Sequence, residues 1–179
     1  MNLYKDVPRL ESFPEEFNVV IDIPMNSTSK FEYDEKGGYF KLDRTLYSPL
    51  IYPFEYGFVP QTHGDDGDAL DVILLATRPT FSGCVVKSRL VGVLKMSDEA
   101  GGDDKLICVP VAKLDPRLSH IKDLEDIELH LIKEIELFMA DYKKLEPGKY
   151  EFVKVEGFGD KEEAKQILIQ GAKNYDENK

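Results

Sequence analysis

The sequence predicts a mainly β protein with helices (α+β): a β-barrel with two helices packed outside it, in one domain spanning 1–179. Three observations predict this. Proline and glycine punctuate the first two-thirds at short intervals (IP, GG, SP, YP, VP, GDDGD, RP, SG, GG, VP). Between them lie short runs rich in β-branched and aromatic residues, the rhythm of an antiparallel barrel or sandwich. The last third changes to the 3–4 spacing of amphipathic helices. A closed barrel is favoured over a sandwich because it leaves no strand edge exposed.

The elements follow in order. Strands are expected at NVVIDI (18–23), KFEYD (30–34), YFKLD (39–43), EYGFV (55–59), LDVILLA (70–76), CVVKSRLVGVLKM (84–96) and KLICVPV (105–111). A helix follows, with apolar residues at Ile127, Leu131, Ile135, Phe138, Tyr142 and Leu145. Asp123 is its expected N-cap, and Glu146-Pro147-Gly148 its stop. YEFVKVEGF (150–158) reads as a further strand. A second helix opens at Asp160, with Glu163 placed for a capping box and Ala164, Ile167, Leu168 and Gly171 on its inner face.

Composition bounds the function. The chain has 179 residues, enough to bury a real core, and a net charge of −11. A surface that acidic repels nucleic acid and anionic membranes, so a bound anion needs positive charge supplied locally. No apolar run reaches the ~18 residues of a membrane helix. The opening MNLYKDVPRLESFPEEF lacks a secretory pattern, which makes a cytoplasmic location the expectation. Cys84 and Cys108 stand far apart in apolar surroundings and read as buried thiols. His63, His120 and His130 are scattered without ligand spacing, which argues against catalysis by a Ser/His or Cys/His pair.

Two loops carry dense clusters of acidic residues. Residues 64–75 read GDDGDALDVILL. Two carboxylates about 4 Å apart repel by roughly 4 kcal/mol at an effective dielectric near 20, so something must offset the crowding. By strand parity Leu70, Val72 and Leu74 share one face, and Asp71 shares the other with Ile73 and Leu75. Asp71 therefore needs an open strand end or a cation. Asp66 and Asp68 have the opposite parity in a straight strand, and Gly67 permits the turn that would bring all three together. The second loop, MSDEAGGDDK (96–105), carries Asp98, Glu99, Asp103 and Asp104. Either loop alone reads as a solvated turn. At one barrel mouth, their oxygens make a hard-cation site suited to Mg²⁺ or Mn²⁺. An EF-hand is excluded because Asp71 and Thr77 fall where glycine and glutamate belong.

Cations and hydroxyls are interleaved with these acids. Lys30 and Glu32 share strand parity, as do Asp103 and Lys105. LDRTLYSPLIYPFEYGFVP supplies Arg44, Tyr47, Tyr52 and Tyr56, and the first helix closes on Tyr142 and Lys143. Singly, each is explained by packing or a surface ion pair. The specificity lies in their combination with the acids.

Taken together these residues resemble family I soluble inorganic pyrophosphatase in its short, bacterial-type form. The core is D-x-D-x-x-D followed by an aliphatic, from Asp66 to Val72. KFE, DR, YP, EYGFVP, GVLKMSDEAGGDDK, HIKD, YK and VKVEGF surround it in the family's order, from about Val19 to Phe158. The resemblance implies a five-stranded OB-like closed barrel flanked by two helices. It implies Mg²⁺-dependent hydrolysis of inorganic pyrophosphate to two phosphates by direct attack of a metal-activated water. Several Mg²⁺ ions would bind per active site, with Mn²⁺ or Zn²⁺ as substitutes, and the assembly would be a homohexamer of two trimers. By the same resemblance Asp66, Asp71, Asp98 and Asp103 are metal ligands, Asp71 and Asp103 bridging ions, and Asp68 accepts the proton of the attacking water. Lys30, Arg44, Tyr56, Lys105, Tyr142 and Lys143 match the phosphate-binding set. Lys30, Arg44 and Tyr56 join Asp68 as the catalytic group, while Glu32, Tyr52 and Glu99 match supporting positions.

Some positions depart from the family. Asp22 stands where Glu is usual and is one methylene shorter, which leaves its metal role open between direct and through water. Ala69 replaces a common Pro, and Tyr150 and Phe158 replace Trp. Two other readings are a metal-dependent hydrolase of a nucleotide or other organic diphosphate, and a non-catalytic OB-like Ca²⁺-binding module. The first lacks a base-stacking platform. The second has no use for Asp68 or the cations.

Overall fold

The computed structural model describes residues 1–64, 67–98 and 101–178. The strands are β1 (Phe17–Ile23), β2 (Ser29–Asp34), β3 (Tyr39–Thr45), β4 (Glu55–Phe58), β5 (Asp71–Leu74), β6 (Val85–Asp98), β7 (Gly101–Gly102), β8 (Lys105–Pro110) and β9 (Lys154–Gly159). The helices are α1 (Leu129–Asp141) and α2 (Lys161–Glu177).

Pairing closes a ring. β1 pairs with β4, β4 with β5, β5 with β8, β8 with β6, and β6 returns to β1. This is the five-stranded barrel expected, with one difference: the β5–β8 pair is parallel. β6 crosses over from β5 and turns back as a hairpin into β8, so β8 returns in the direction of β5. At 14 residues β6 is long enough to pair with β1, β7, β8 and β9. Its first part pairs with β1 and its last part with β9, while β8 lies along its other edge. A register shift between Leu90 and Gly92 accommodates the bend this requires.

β1 and β4 approach closely at Gly57. A Cβ there would stand 2.0 Å from the Val20 carbonyl oxygen and 2.9 Å from the Ile21 Cα, so only glycine fits. β2 and β3 stay outside the ring as a separate two-stranded ribbon. β2 is half-buried along its whole length and β3 mostly exposed, and β2 lies against β1.

Both faces of β5 are buried, as its parity requires. Leu70, Val72 and Leu74 share a cluster with Ala164 and Leu168 of α2, and Ile73 and Leu75 with Ile135 and Phe138 of α1. One carboxylate is fully buried in this framework. Glu55 accepts from the Thr80 amide at 2.7 Å and the Thr80 hydroxyl at 2.8 Å, which satisfies both oxygens.

Helix boundaries depart from the spacing-based expectation. Asp123 and Asp126 form a capping box on a 3₁₀ turn over Leu124–Asp126, and Ile127 is extended. α1 starts after Glu128, whose side chain accepts from the Leu131 amide at 3.0 Å. The helix stops at Asp141, short of Pro147, and Leu145 is 60% exposed. Residues beyond it are drawn into other contacts, Lys143 with Asp98 and Glu146 with Arg44. The run 150–158 also divides: Tyr150–Phe152 is a 3₁₀ turn and only β9 is strand. At α2, Asp160 caps the Glu163 amide as expected, but the Glu163 carboxylate is spent on Lys95.

Candidate active site

One cleft of about 1110 Å³ gathers nearly all the residues singled out from the sequence. Its walls carry Asp22, Lys30, Glu32, Arg44, Tyr56, Asp68, Asp71, Asp98, Asp103, Lys105, Tyr142 and Lys143. Asp66 and Glu99 lie outside the described residues. Tyr52 is buried behind the wall, its ring 6.4 Å from that of Tyr142 and 6.1 Å from that of Tyr56. Tyr47 is 58% exposed and does not line the cleft.

Strand register explains the convergence. Asp71 begins β5 opposite Phe58 of β4, and Val72 lies opposite Leu106 of β8. Tyr56, Asp71 and Lys105 therefore reach one barrel end from three adjacent strands. The Tyr56 hydroxyl donates to Asp71 at 2.7 Å, and the Lys105 ammonium donates to Asp71 at 2.6 Å and also to Asp103. Lys143, just beyond α1, reaches Asp98 at the end of β6 at 2.9 Å. The β2–β3 ribbon brings Lys30 and Arg44, which are register partners. Lys30 pairs with Glu32 at 2.5 Å, as shared parity required, and with Asp43 at 3.4 Å.

Sequence reasoning missed Asp43 and Glu146. Arg44 is held by both, the Glu146 contact being 2.8 Å from Nε. A glutamate ahead of Pro-Gly reads as a helix stop, and nothing in its spacing links it to an arginine on a distant strand.

The electrostatics follow from burial. Burial lowers the Lys105 affinity for its proton, but Asp71 and Asp103 more than reverse this, so the ammonium is held charged. Burial pushes the Asp103 carboxyl up against the pull of Lys105, because one ammonium is shared with Asp71. Burial, then the nearby Asp71, pushes the Tyr56 phenol well above its ordinary value; burial and Tyr52 do the same for Tyr142. Both phenols therefore remain donors at any working pH. Asp22 is pushed well up by burial and by repulsion from Asp71, and its Oδ1 is buried without a hydrogen-bond partner.

Comparison with known proteins supplies the lineage. The family described as inorganic pyrophosphatase matches residues 19–176. The chain belongs to the inorganic pyrophosphatase family. Among curated members, that of Leifsonia xyli is 51% identical over 160 residues, covering 89% of this chain and 96% of that protein. The solved structure of the Thermus thermophilus pyrophosphatase superposes with a TM-score of 0.93 at 41% identity, covering 98% of this chain and 99% of that one. The Helicobacter pylori pyrophosphatase structure gives 0.88 at 45% identity, covering 90% and 94%.

The donor set fits a hard divalent cation. Its groups are carboxylates, the oxygen donors Mg²⁺ prefers. The orphaned Asp22 oxygen is a buried acceptor in want of a cation, and a cation nearby would favour the anionic form of Asp22. Among the described residues no three carboxylates stand close enough to hold one ion in this arrangement. Lysines occupy the spaces between them, Lys105 between Asp71 and Asp103 and Lys143 against Asp98.

Proposed function

We propose that the chain, acting as one catalytic domain over 1–179, hydrolyses inorganic pyrophosphate to two phosphates with Mg²⁺ bound. The observation that carries this reading is the single cleft in which Asp68, Asp71, Asp98 and Asp103 face Lys30, Arg44, Lys105 and Lys143. That arrangement lets an acidic chain hold a polyanion. Asp66, Asp71, Asp98 and Asp103 would hold the metal, with Asp22, Glu32 and Glu99 at its margin. When bound, the metal supplies charge that neutralises the diphosphate and lowers the pKa of water.

The remaining steps belong to side chains. A water oxygen bonds to one phosphorus as the bond from that phosphorus to the bridging oxygen breaks. The water proton passes to the Asp68 carboxylate, and the bridging oxygen leaves with the second phosphate. Lys30, Arg44, Lys105 and Lys143 place positive charge against the phosphoryl oxygens, where it stabilises charge developing in the transition state. Tyr142, locked as a phenol, donates to the same oxygens, and Tyr56 does so by turning its one proton from Asp71 to the substrate.

Mn²⁺ or Zn²⁺ would substitute for Mg²⁺. A homohexamer in the cytoplasm is the proposed setting. Exposed Leu129 and Leu137 on α1 offer apolar surface for subunit contacts, and both cysteines are free, which suits a reducing compartment. Among the described residues no helix is long and apolar enough to cross a membrane.

Phosphate release from pyrophosphate and from ATP, with Mg²⁺ and then with chelator, tests the reading. Rapid Mg²⁺-dependent release from pyrophosphate alone is expected. Equal or faster release from ATP would favour an organic diphosphate hydrolase, and no release from either would favour a binding module.

A further inference from the structure

We infer that His63 is a positioning residue for Asp68: its ring N–H holds the Gly67 carbonyl and so fixes the direction in which the Asp68 carboxylate leaves its loop. The inference deepens the proposed reaction and rests on Asp68 being its proton acceptor.

The geometry of the turn carries it. His63 Nδ1 lies 2.7 Å from the Gly67 oxygen. A carbonyl only accepts, so Nδ1 carries the proton. The Asp68 carbonyl is held in turn by the Gly64 amide at 2.8 Å, and the Gly67 amide by the Gly64 carbonyl at 3.1 Å. Peptide groups are planar, so anchoring the carbonyls of Gly67 and Asp68 fixes the two planes that flank the Asp68 Cα. Those planes set its φ and ψ, and with them the direction of Cβ. Packing does not do this job. Gly67 has φ of +87°, and a Cβ there would meet nothing within 4 Å, so hydrogen bonds hold the peptide.

His63 is itself well anchored. Its amide donates to the Gly171 carbonyl of α2 at 2.9 Å, and its own carbonyl accepts from the Asn174 side chain at 3.2 Å. Its ring lies among Tyr4 and Tyr175, with centroids 5.8 Å and 5.2 Å away. The Tyr4 hydroxyl spends its proton on the Thr62 carbonyl at 2.8 Å, and its oxygen lies 3.0 Å from Nδ1, beside the N–H that serves Gly67. The loop bearing Asp68 is thus referenced to α2 and to the N-terminal segment through one ring.

A purely structural histidine would owe its place to the two tyrosine rings. Two variants separate the roles. His63→Phe keeps an aromatic ring and loses the donor; His63→Asn keeps an N–H near the place of Nδ1 and loses the ring. Steady-state turnover of pyrophosphate with Mg²⁺ is measured for both beside the unmodified protein, with thermal melting as a fold control. His63→Phe is expected to lower kcat by about 10- to 100-fold, the scale of a small misplacement of a reacting group, with KM within twofold. His63→Asn is expected to keep kcat within about threefold. Equal kcat in all three proteins overturns the inference, as does a loss in His63→Asn matching that in His63→Phe. If His63→Phe fails to fold, His63→Leu takes its place as the variant without the donor and is read by the same outcomes. Absence of turnover in the unmodified protein would instead overturn the proposed reaction.

Discussion

The ammonium of Lys105 lies 2.6 Å from the Asp71 carboxylate, with only 3% of the lysine side chain exposed. It also bonds Asp103, so one buried cation serves two carboxylates expected to bind metal. Without metal it is the group that offsets the charge crowded at the end of β5. Lys105→Met should therefore destabilise the metal-free protein by about 3 kcal/mol, the lower end for breaking a buried pair, because Asp71 and Asp103 keep some contact with water. Mg²⁺ should then raise the melting temperature more in the variant than in the unmodified protein. Thermal melting with Mg²⁺ and with chelator checks this, and an equal or smaller Mg²⁺ increment would contradict it.

Asp68 lines the same cleft and is assigned the proton, not the metal. Asp68→Asn removes the acceptor and keeps the shape. Turnover of pyrophosphate should fall by roughly 10²–10⁴-fold, the usual worth of a positioned general base. Titration calorimetry with Mn²⁺ should show affinity within a few-fold of the unmodified protein. Near-normal turnover would remove Asp68 from its role, and lost metal affinity would make it a ligand.

The strands were legible because their residues alternate or cluster between turn signals. The two faces of β5 follow directly from parity, down to Asp71 sharing a face with Ile73 and Leu75. The pairs Lys30–Glu32 and Asp103–Lys105 were legible for the same reason, since both are local. A closed barrel was expected, but which strands pair was not, because pairings such as the parallel one of Ile73 with Ile107 join distant segments. Asp123 misled because a good N-cap serves a 3₁₀ turn as well as an α-helix. His63 gave no signal, since its partners are a backbone carbonyl and two tyrosines from opposite ends of the chain. The site itself was legible mainly through an ordered set of motifs resembling one family, with the spatial grouping supplied by the fold.

Burial pushes the Tyr4 and Tyr52 phenols above their ordinary value, with Glu35 adding to the effect at Tyr4 and Arg44 opposing it at Tyr52. The sign is that of a raised folded pKa. Stability from these groups is complete below the unfolded value of about 10 and is lost as pH rises through the folded values. Denaturant unfolding should therefore show a midpoint that falls progressively above about pH 10. In that range tyrosinate absorbance should be lower in the folded than in the unfolded protein. Tyr4→Phe and Tyr52→Phe together should flatten this alkaline slope, and an unchanged slope would assign it to other groups.

Glu146 follows the end of α1 and accepts from the Arg44 Nε at 2.8 Å with its side chain 5% exposed. Asp43 holds the other side of the same guanidinium. Arg44 is thus aimed by two carboxylates before any substrate arrives, and its remaining donors face a cleft also lined by Lys30 and Lys143. Glu146→Gln keeps an acceptor oxygen but removes the charge that strengthens the bond. Glu146→Ala removes both and leaves the arginine free to turn toward Asp43. The loss should therefore be graded, with Gln the milder, and Ala should weaken substrate binding by about 10-fold, the scale of a charge-assisted hydrogen bond. If Arg44 acts mainly by holding the diphosphate, the loss appears in KM with kcat little changed. If it acts mainly on the phosphoryl group in transit, kcat and kcat/KM fall together. Steady-state kinetics of the two variants beside Arg44→Lys separate these outcomes. Arg44→Lys retains the charge but not the fork, so a loss like that of Glu146→Ala would show that Glu146 works by aiming the guanidinium.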